Sequence, residues 1–204
     1  MINFIYRLIK YSRNVFLKYS SQYIGLLLFK ANKIKYKKGI QINGLPELSI
    51  QGSFNIGKDF KINSRIGSNP IGRNYICMFI VRKDAVLTIG NNVGISGTTI
   101  VCQKKITIGN NVKCGGNVCI YDTDFHSLNP VFRKNKFEDI KHTIKKEVLI
   151  EDNVFIGAHS TILKGVTIGK NSIIGACSVV SKNIPSNEIW AGNPIQFIKK
   201  VPID

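Results

Sequence analysis

The sequence predicts an all-β protein whose chain winds into a parallel β-helix, a triangular prism of hexapeptide repeats. The first observation is a period of six without a slip over residues 150–185, with aliphatic residues at Ile150, Ile156, Ile162, Ile168, Ile174 and Val180. Helices repeat every 3.6 residues and strands every two, whereas a six-residue unit supplies one short strand and one corner. Three units close a turn, and the fourth stacks on the first.

The corners between the aliphatic positions are the second observation. They read IGNN, IEDN and IGKN, and Gly, Asn and Asp adopt tight or positive-φ conformations at the lowest cost. The same phase continues upstream, less regularly, at Ile50, Ile56, Ile62, Ile89, Ile95, Val101, Ile108 and Ile120. It breaks around Asn69–Pro70, where we expect irregular corners or small loops, and more extensively at about 121–147.

We therefore divide the chain into an N-terminal arm (1–40), the β-helix (41–185) and a C-terminal tail (186–204). The excursion at about 121–147 is assigned as the active-site loop, because a long departure from a rigid scaffold is where functional residues concentrate. A length of 204 residues with 44% hydrophobic residues suits one stacked core without a second globular domain.

The N-terminal arm is basic and predicted to be an amphipathic helix. Nine Lys and Arg residues precede the first acidic residue, Glu47, and apolar residues recur at helical spacing at Ile5, Leu8, Ile9, Phe16 and Tyr19. Its longest uncharged run has eleven residues, against the ~20 of a transmembrane helix, and no cleavable signal is expected. Two roles stay open: capping the end of the prism, or docking on anionic lipid headgroups.

The net charge of +17 limits the choice of partners. No RNA- or DNA-binding motif accompanies the basic residues, so we expect no nucleic acid partner. The charge could instead attract the phosphates of coenzyme A or an acidic glycan. The five cysteines form no CxxC pair, which favours free thiols in a reducing compartment over disulfides or a zinc cluster. We expect a cytoplasmic protein, with peripheral contact at the inner face of the membrane if the arm docks there.

Three local motifs make the assignment more specific: DTDFHSLNP at 122–130, VVSKNIP at 179–185 and WAGNPIQFIKK at 190–200. Together with the repeat they resemble the left-handed β-helix acyltransferases, the hexapeptide-repeat family, over nearly all of residues 41–204. The resemblance implies left-handed winding, a short helical C-terminal tail, acetyl-CoA as co-substrate, and a homotrimer with active sites between subunits.

His126 is the candidate catalytic base. Transfer of an acetyl group from a thioester to a sugar hydroxyl requires removal of the hydroxyl proton, and imidazole is suited to that near neutral pH. The resemblance gives His126 the same role. Asp122 and Asp124 alternate with His126, so an extended segment would point all three side chains to one side. Asp124 could orient the ring, or it could cap its own turn or bind the acceptor.

The resemblance also supplies candidate coenzyme contacts. Ala158 and Ala176 would let the pantetheine arm approach, Ser181 and Lys182 would lie near the adenine and phosphate end, and Lys199 is similarly placed for a phosphate. No metal is expected. Where better-known sugar acetyltransferases of this family hold the acceptor with Asn and Asp, the nearest counterparts are Ser96 and Gln103, so acceptor identity does not carry over.

We therefore predict an acetyl-CoA-dependent O-acetyltransferase acting on a sugar hydroxyl in bacterial surface polysaccharide or lipopolysaccharide biosynthesis. One alternative is an N-acetyltransferase on an amino sugar or nucleotide-linked sugar. A zinc-dependent, carbonic-anhydrase-like enzyme is another, although Lys164 stands where the third histidine ligand after His126 and His159 would be. A non-catalytic scaffold is the third, but it leaves the histidine loop and the AGNP tail unexplained.

Overall fold

The computed structural model describes residues 2–67, 69, 71 and 75–202. Helix α1 (Ile2–Ala31) is followed by short strands β1 (Lys35–Tyr36), β2 (Gln41–Asn43), β3 (Glu47–Ile50), β4 (Ser53–Ile56), β5 (Lys61–Asn63), β6 (Met78–Val81), β7 (Val86–Ile89), β8 (Gly94–Ser96), β9 (Thr99–Cys102), β10 (Lys105–Ile108), β11 (Lys113–Gly116) and β12 (Cys119–Tyr121). Two short helices, α2 (Pro130–Arg133) and α3 (Lys136–Lys141), precede β13 (Val148–Ile150), β14 (Phe155–Ile156), β15 (Thr161–Ile162), β16 (Thr167–Ile168), β17 (Ile173–Ile174) and β18 (Val179–Val180).

These strands form three sheets, one for each face of a prism. Face A contains β1, β4, β7, β10, β13 and β16, face B contains β2, β5, β8, β11, β14 and β17, and face C contains β3, β6, β9, β12, β15 and β18. Each coil thus adds one strand to each face, parallel to the strand of the coil before it. The left-handed parallel β-helix is confirmed.

The aliphatic residue of each repeat points inward and stacks on its counterpart in the next coil. On face A, Ile56 is in register with Ile89, Ile89 with Ile108, and Ile108 with Ile150. All four are at most 4% exposed. Burial of such a side chain contributes about 1.5–3 kcal/mol, so the column of aliphatic residues explains why the sequence keeps its phase.

Asparagines form a ladder along the edge between faces A and B. Asn92, Asn111, Asn153, Asn171 and Asn187 all have φ between 54° and 62°, a left-handed conformation that Asn tolerates better than most residues. The side-chain amide of each of the first four donates to the amide oxygen of the next asparagine at 2.7–3.0 Å. The corner residues therefore satisfy the backbone geometry and link successive coils.

The second half of α1 caps the first coil of the prism. The Gln22 amide donates to the Ile40 carbonyl at 2.9 Å and accepts from the Ile42 amide at 2.7 Å, so it pairs with the edge strand β2 as another strand would. Gly25 lies directly against Ile42, and Phe29 is fully buried in the core. Among the described residues, no helix has the length and apolar character required to cross a membrane.

The C-terminal tail is a β-hairpin, which corrects the predicted helix. Strand β19 (Glu188–Ala191) extends face B beside β17, and β20 (Gln196–Lys200) returns antiparallel to it. A strand is favoured because the last coil presents unpaired backbone groups, which β19 satisfies. Glu188 accepts hydrogen bonds from Lys200 and then Trp190, and these interactions lower the pKa of its carboxyl.

Two excursions leave the prism. The longer one, between β12 and β13, contains α2 and α3 and leaves the edge between faces C and A. The other, between β5 and β6, leaves the edge between faces B and C. The prediction of irregular structure at Asn69–Pro70 falls in this second excursion, and Pro70 lies outside the described residues.

Candidate active site

His126 forms a short hydrogen bond with a carboxylate in the longer excursion. Its Nδ1 lies 2.7 Å from Oδ2 of Asp139, and the His126 side chain is 71% exposed whereas that of Asp139 is 13% exposed. An ionised carboxylate can only accept, so Nδ1 carries the ring proton and Nε2 keeps its lone pair. The arrangement presents Nε2 of an accessible imidazole as a base.

The second carboxylate oxygen of Asp139 is also held by a hydrogen bond. Its Oδ1 accepts from the backbone amide of Ser127 at 2.6 Å, and the Arg133 guanidinium donates to the Ser127 carbonyl at 2.7 Å. The hydrogen bond from His126, followed by the one from Ser127, holds the pKa of Asp139 below its usual 3.8 against the opposing effect of burial. Asp139 therefore stays ionised near neutral pH.

Capping residues in the excursion explain how Asp139 reaches a histidine thirteen positions earlier. Asn129 caps α2 by accepting from the Val131 amide, with Pro130 in the first turn. Asn135 caps α3 by accepting from the amides of Phe137 and Glu138. Two short helices therefore fold the chain back on itself. Sequence analysis missed Asp139 and Arg133, because no fixed spacing relates them to His126.

The structure corrects the predicted alternation of Asp122, Asp124 and His126. Phe125 has φ of 66°, which breaks the extended conformation just before the histidine. Asp122 is fully buried and accepts from the backbone amides of Gln103 and Lys104, both at 2.7 Å. Asp124 pairs with Lys164 at 2.7 Å. The carboxylate that contacts the ring is therefore Asp139, while Asp124 ties the loop to the prism.

The other two histidines make different contacts. His142 stacks on Phe132 with ring centroids 3.8 Å apart, and His159 lies 3.1 Å from the Asn117 amide. Lys164, at the position of the third zinc ligand in the carbonic-anhydrase alternative, forms the ion pair with Asp124. Within the described part of the chain, no three His, Cys, Asp or Glu side chains converge as metal ligands would.

The five predicted coenzyme residues lie at three places. Ala158 and Ala176 stack in consecutive coils at the edge between faces B and C, where the Cys177 amide donates to the Ala158 carbonyl. Ser181 and Lys182 follow β18 at the edge between faces C and A, the same edge that carries His126. Lys199 lies on β20 of the hairpin. Within one subunit, the two alanines and His126 therefore lie on opposite edges of face C.

The two acceptor counterparts also separate. Ser96 ends β8 at the edge between faces B and C, and its hydroxyl accepts from the side-chain amides of Asn63 and Asn69 at 3.2 and 2.7 Å. Gln103 lies at the edge between faces C and A, beside Asp122. Ser96 therefore shares an edge with Ala158 and Ala176, and Gln103 shares one with His126.

The repeat itself decides the relationship to known proteins. Residues 147–182 match the family model described as bacterial transferase hexapeptide (six repeats). The resemblance to hexapeptide-repeat acyltransferases is confirmed. The matched segment covers β13 to β18, the coils that carry Ala158, Ala176 and Ser181.

Similar proteins with assigned activities cover part of the chain. A galactoside O-acetyltransferase from Lactococcus lactis subsp. lactis is 43% identical over 103 residues, which are 50% of this chain and 47% of that protein. A maltose O-acetyltransferase from Clostridium difficile 630 is 36% identical over 57% of this chain and 60% of its own, with a TM-score of 0.52. The chain thus spans about half of the first relative's length and 60% of the second's.

A third structure resembles more of the chain at lower identity. The N-acyltransferase AntD from Bacillus cereus, in complex with dTDP-4-amino-4,6-dideoxyglucose and coenzyme A, has a TM-score of 0.67 over 85% of this chain and 88% of its own. At 22% identity this likeness concerns the fold alone.

Proposed function

We propose that this chain is an acetyl-CoA-dependent O-acetyltransferase that modifies a hydroxyl of a sugar. The observation that carries the proposal is the hydrogen bond from His126 to Asp139, which leaves Nε2 as an accessible base. His126 lies in the DTDFHS motif of the longer excursion. The galactoside and maltose O-acetyltransferases to which the chain is similar support both the reaction and a carbohydrate acceptor.

In this mechanism His126 moves one proton. Nε2 takes the proton of the acceptor hydroxyl as that oxygen attacks the thioester carbonyl, which forms the C–O bond of the ester. The C–S bond breaks, and the imidazolium returns the proton to the departing sulfur. Asp139 stabilises the transient positive charge on the ring and holds its orientation.

The chain offers suitable contacts for the co-substrate. Ala158 and Ala176 are small and stacked, so an extended pantetheine arm could approach the backbone there. The Lys182 ammonium lies 5.5 Å from the centre of the Trp190 ring, and Lys199 is exposed on the hairpin. These cations could pair with the phosphates, and no metal ion is required for the proton transfer.

We place the complete site between two subunits of a homotrimer. The alanines and His126 lie on different edges of face C, so a ring of three prisms with face C inward would bring one subunit's alanines beside its neighbour's histidine. Beyond its first coil, face C supports this arrangement because the outward residues of β6, β9, β12, β15 and β18 are uncharged, namely Met78, Ile80, Thr99, Val101, Cys119, Tyr121, Thr161 and Val179. In the first coil, β3 carries the exposed Glu47.

The test of the reaction compares wild-type protein with His126→Ala. We expect the variant to fold, to bind coenzyme A with unchanged affinity, and to lose transfer by about 10²-fold or more because the base is missing. His142→Ala is the matched control, since that ring stacks on Phe132 in the same loop. Wild-type turnover by His126→Ala would contradict the mechanism.

The biological setting is proposed to be bacterial surface polysaccharide or lipopolysaccharide biosynthesis. Mass spectrometry of surface glycans from cells with and without the gene should show the loss of one acetyl ester. Loss of an amide-linked acetyl group from an amino sugar would instead assign the N-acetyltransferase alternative. Unchanged glycans would contradict this setting.

We further propose that α1 docks the protein on the inner face of the membrane. Of the exposed apolar residues of α1, Ile5, Ile9, Phe16, Tyr23 and Leu27 share one narrow stripe at 100° per residue, while others, among them Phe4, Tyr6 and Tyr11, lie outside it. That stripe lies opposite the capping residues Ser21, Gly25 and Phe29. Because no acidic residue precedes Glu47, the charge of the helix complements an anionic lipid surface.

Docking can be tested without disturbing the cap. Removal of residues 2–13, which spares the hydrogen bonds from Arg65 to Asn14 and from Ser21 to Lys18, or the double substitution Ile9→Ser/Phe16→Ser, should abolish sedimentation with vesicles that contain phosphatidylglycerol while the thermal unfolding temperature stays the same. Vesicles of phosphatidylcholine alone provide the control for charge. Unchanged sedimentation of both variants would leave α1 with the capping role only.

A further inference from the structure

A cavity of about 630 Å³ lies between α1 and the outer surface of face B, away from the loop that carries His126. Its lining includes Lys18 of α1 together with Lys61 of β5 and Lys113 of β11. None of its lining residues is acidic. Three ammonium groups without a carboxylate create a positive potential that favours an anionic ligand.

The register of face B sets the spacing of two of these lysines. Lys61 is aligned with Gly94, and Gly94 with Lys113. Neighbouring strands are about 4.8 Å apart, so the two lysine backbones are separated by about 10 Å. A Cβ atom on Gly94 would lie 3.4 Å from Cδ of Lys113. Because residue 94 has no side chain, Lys113 can fold across it toward Lys61, and its ammonium donates to the Asn92 carbonyl at 3.1 Å.

A row of polar side chains connects this part of the cavity to the edge between faces B and C. The Asn43 amide donates to Asn63 at 2.9 Å, and Asn63 donates to the Ser96 hydroxyl at 3.2 Å. Ser96 also accepts from Asn69. Ser96 thus ends the row with a hydroxyl, a group that can both donate and accept hydrogen bonds.

From these observations we infer that the cavity binds a phosphate or diphosphate ester attached to the acceptor sugar. The inference rests on the proposed function, in which the edge with Ser96 faces the neighbouring subunit's copy of the histidine loop. A sugar near Ser96 would carry its phosphate group toward Lys61 and Lys113, with Lys18 closing the site from α1. The acceptor is therefore a nucleotide-linked or lipid-linked saccharide, since both present this chemistry.

Pyrophosphate binding to the full-length protein tests the site by calorimetry. The protein is first saturated with coenzyme A, so that the donor site does not compete for the probe. Lys61→Gln/Lys113→Gln should weaken pyrophosphate binding by about tenfold or more. The control Lys58→Gln/Lys83→Gln removes the same charge from exposed lysines outside the cavity and should leave the affinity unchanged. Gly94→Leu should weaken binding without a change in charge.

No saturable binding to the wild type, or equal affinities of the Lys61/Lys113 variant and its control, would overturn the inference. Uridine diphosphate and farnesyl diphosphate then distinguish the two sources of the ester, because the tighter ligand identifies the nucleotide or the lipid carrier. His126→Ala should bind pyrophosphate as the wild type does. A cavity that does not bind phosphate would be detected by calorimetry, whereas an incorrect transfer mechanism would be detected by the activity of His126→Ala.

Discussion

At the scale of single residues, Asp139 holds the His126 ring through a hydrogen bond to Nδ1. In D139N the new amide can donate to Nδ1, which would place the ring proton on Nε2 and remove the base. We expect kcat to fall by about 10²–10⁴-fold with little change in KM, because the acceptor is bound by other groups. Steady-state kinetics at neutral pH measures both values.

The ring tautomer distinguishes a positioning role of Asp139 from a structural one. Nitrogen NMR of the labelled imidazole should show the proton on Nδ1 in the wild type and on Nε2 in D139N. Asp124→Asn is the matched control, because Asp124 contacts Lys164 at 2.7 Å and not the ring. An equal loss of kcat in both variants, with the same tautomer, would contradict the assignment.

The lowered pKa of Asp139 gives its contribution a definite sign with pH. A carboxyl group whose pKa is lower in the folded state than in the unfolded state stabilises the folded state at any pH above the unfolded-state pKa. This contribution is lost as the pH falls through the pKa of the folded state. Asp139 thus holds the ring throughout the neutral range. Changes in activity near neutral pH should accordingly come from groups other than Asp139.

At the level of structural elements, the asparagine ladder explains how corners of different sequence keep one geometry. Asn111 combines φ of 57° with hydrogen bonds to Asn92 and Asn153. We expect Asn111→Ala to lower the free energy of unfolding by about 2 kcal/mol, since it loses both bonds and strains the backbone. Urea denaturation provides the measurement.

Asn111→Gly separates the two contributions, because glycine adopts positive φ without steric strain but removes the same hydrogen bonds. The free energy of unfolding of Asn111→Gly should lie between those of the wild type and Asn111→Ala, once the entropy that glycine adds to the unfolded chain is taken into account. Equal stability of wild type and Asn111→Ala would show that the ladder contributes nothing.

For the whole molecule, the proposed site between subunits, with Ala158 and His126 on different edges of face C, predicts that activity depends on assembly. His126→Ala and Ala158→Trp should each inactivate a trimer made of one variant. In mixed trimers, about a quarter of the sites combine an intact histidine with an intact alanine from the neighbour. Co-refolding the two variants in equal amounts should therefore restore about a quarter of the wild-type rate.

The control for this mixing experiment pairs His126→Ala with Asp139→Asn. Both residues belong to the same excursion of the same subunit. Every subunit in a mixed trimer therefore carries one of the two substitutions in its own histidine loop, and no site is intact. No activity should return. Failure of the first mixture to recover activity would argue for a site within one subunit.

The sequence determined the prism because a period of six is a local property that every coil repeats. Ile150, Ile156 and Ile162 each face the core for the same reason, and Asn111 or Asn153 each fit the same corner. The motif around His126 likewise marked the loop. The C-terminal helix that the resemblance implied was wrong, because β19 pairs with the unpaired strand edge of the last coil.

Only the tertiary structure decided which groups meet. Asp124 is two residues from His126 but pairs with Lys164, whereas Asp139 is thirteen residues away and contacts the ring. The cavity lysines Lys61 and Lys113 come together through the register of β5, β8 and β11. The physical reason is that a repeat fixes where a side chain points within its own coil, while contacts between coils, loops and α1 depend on how the whole chain packs.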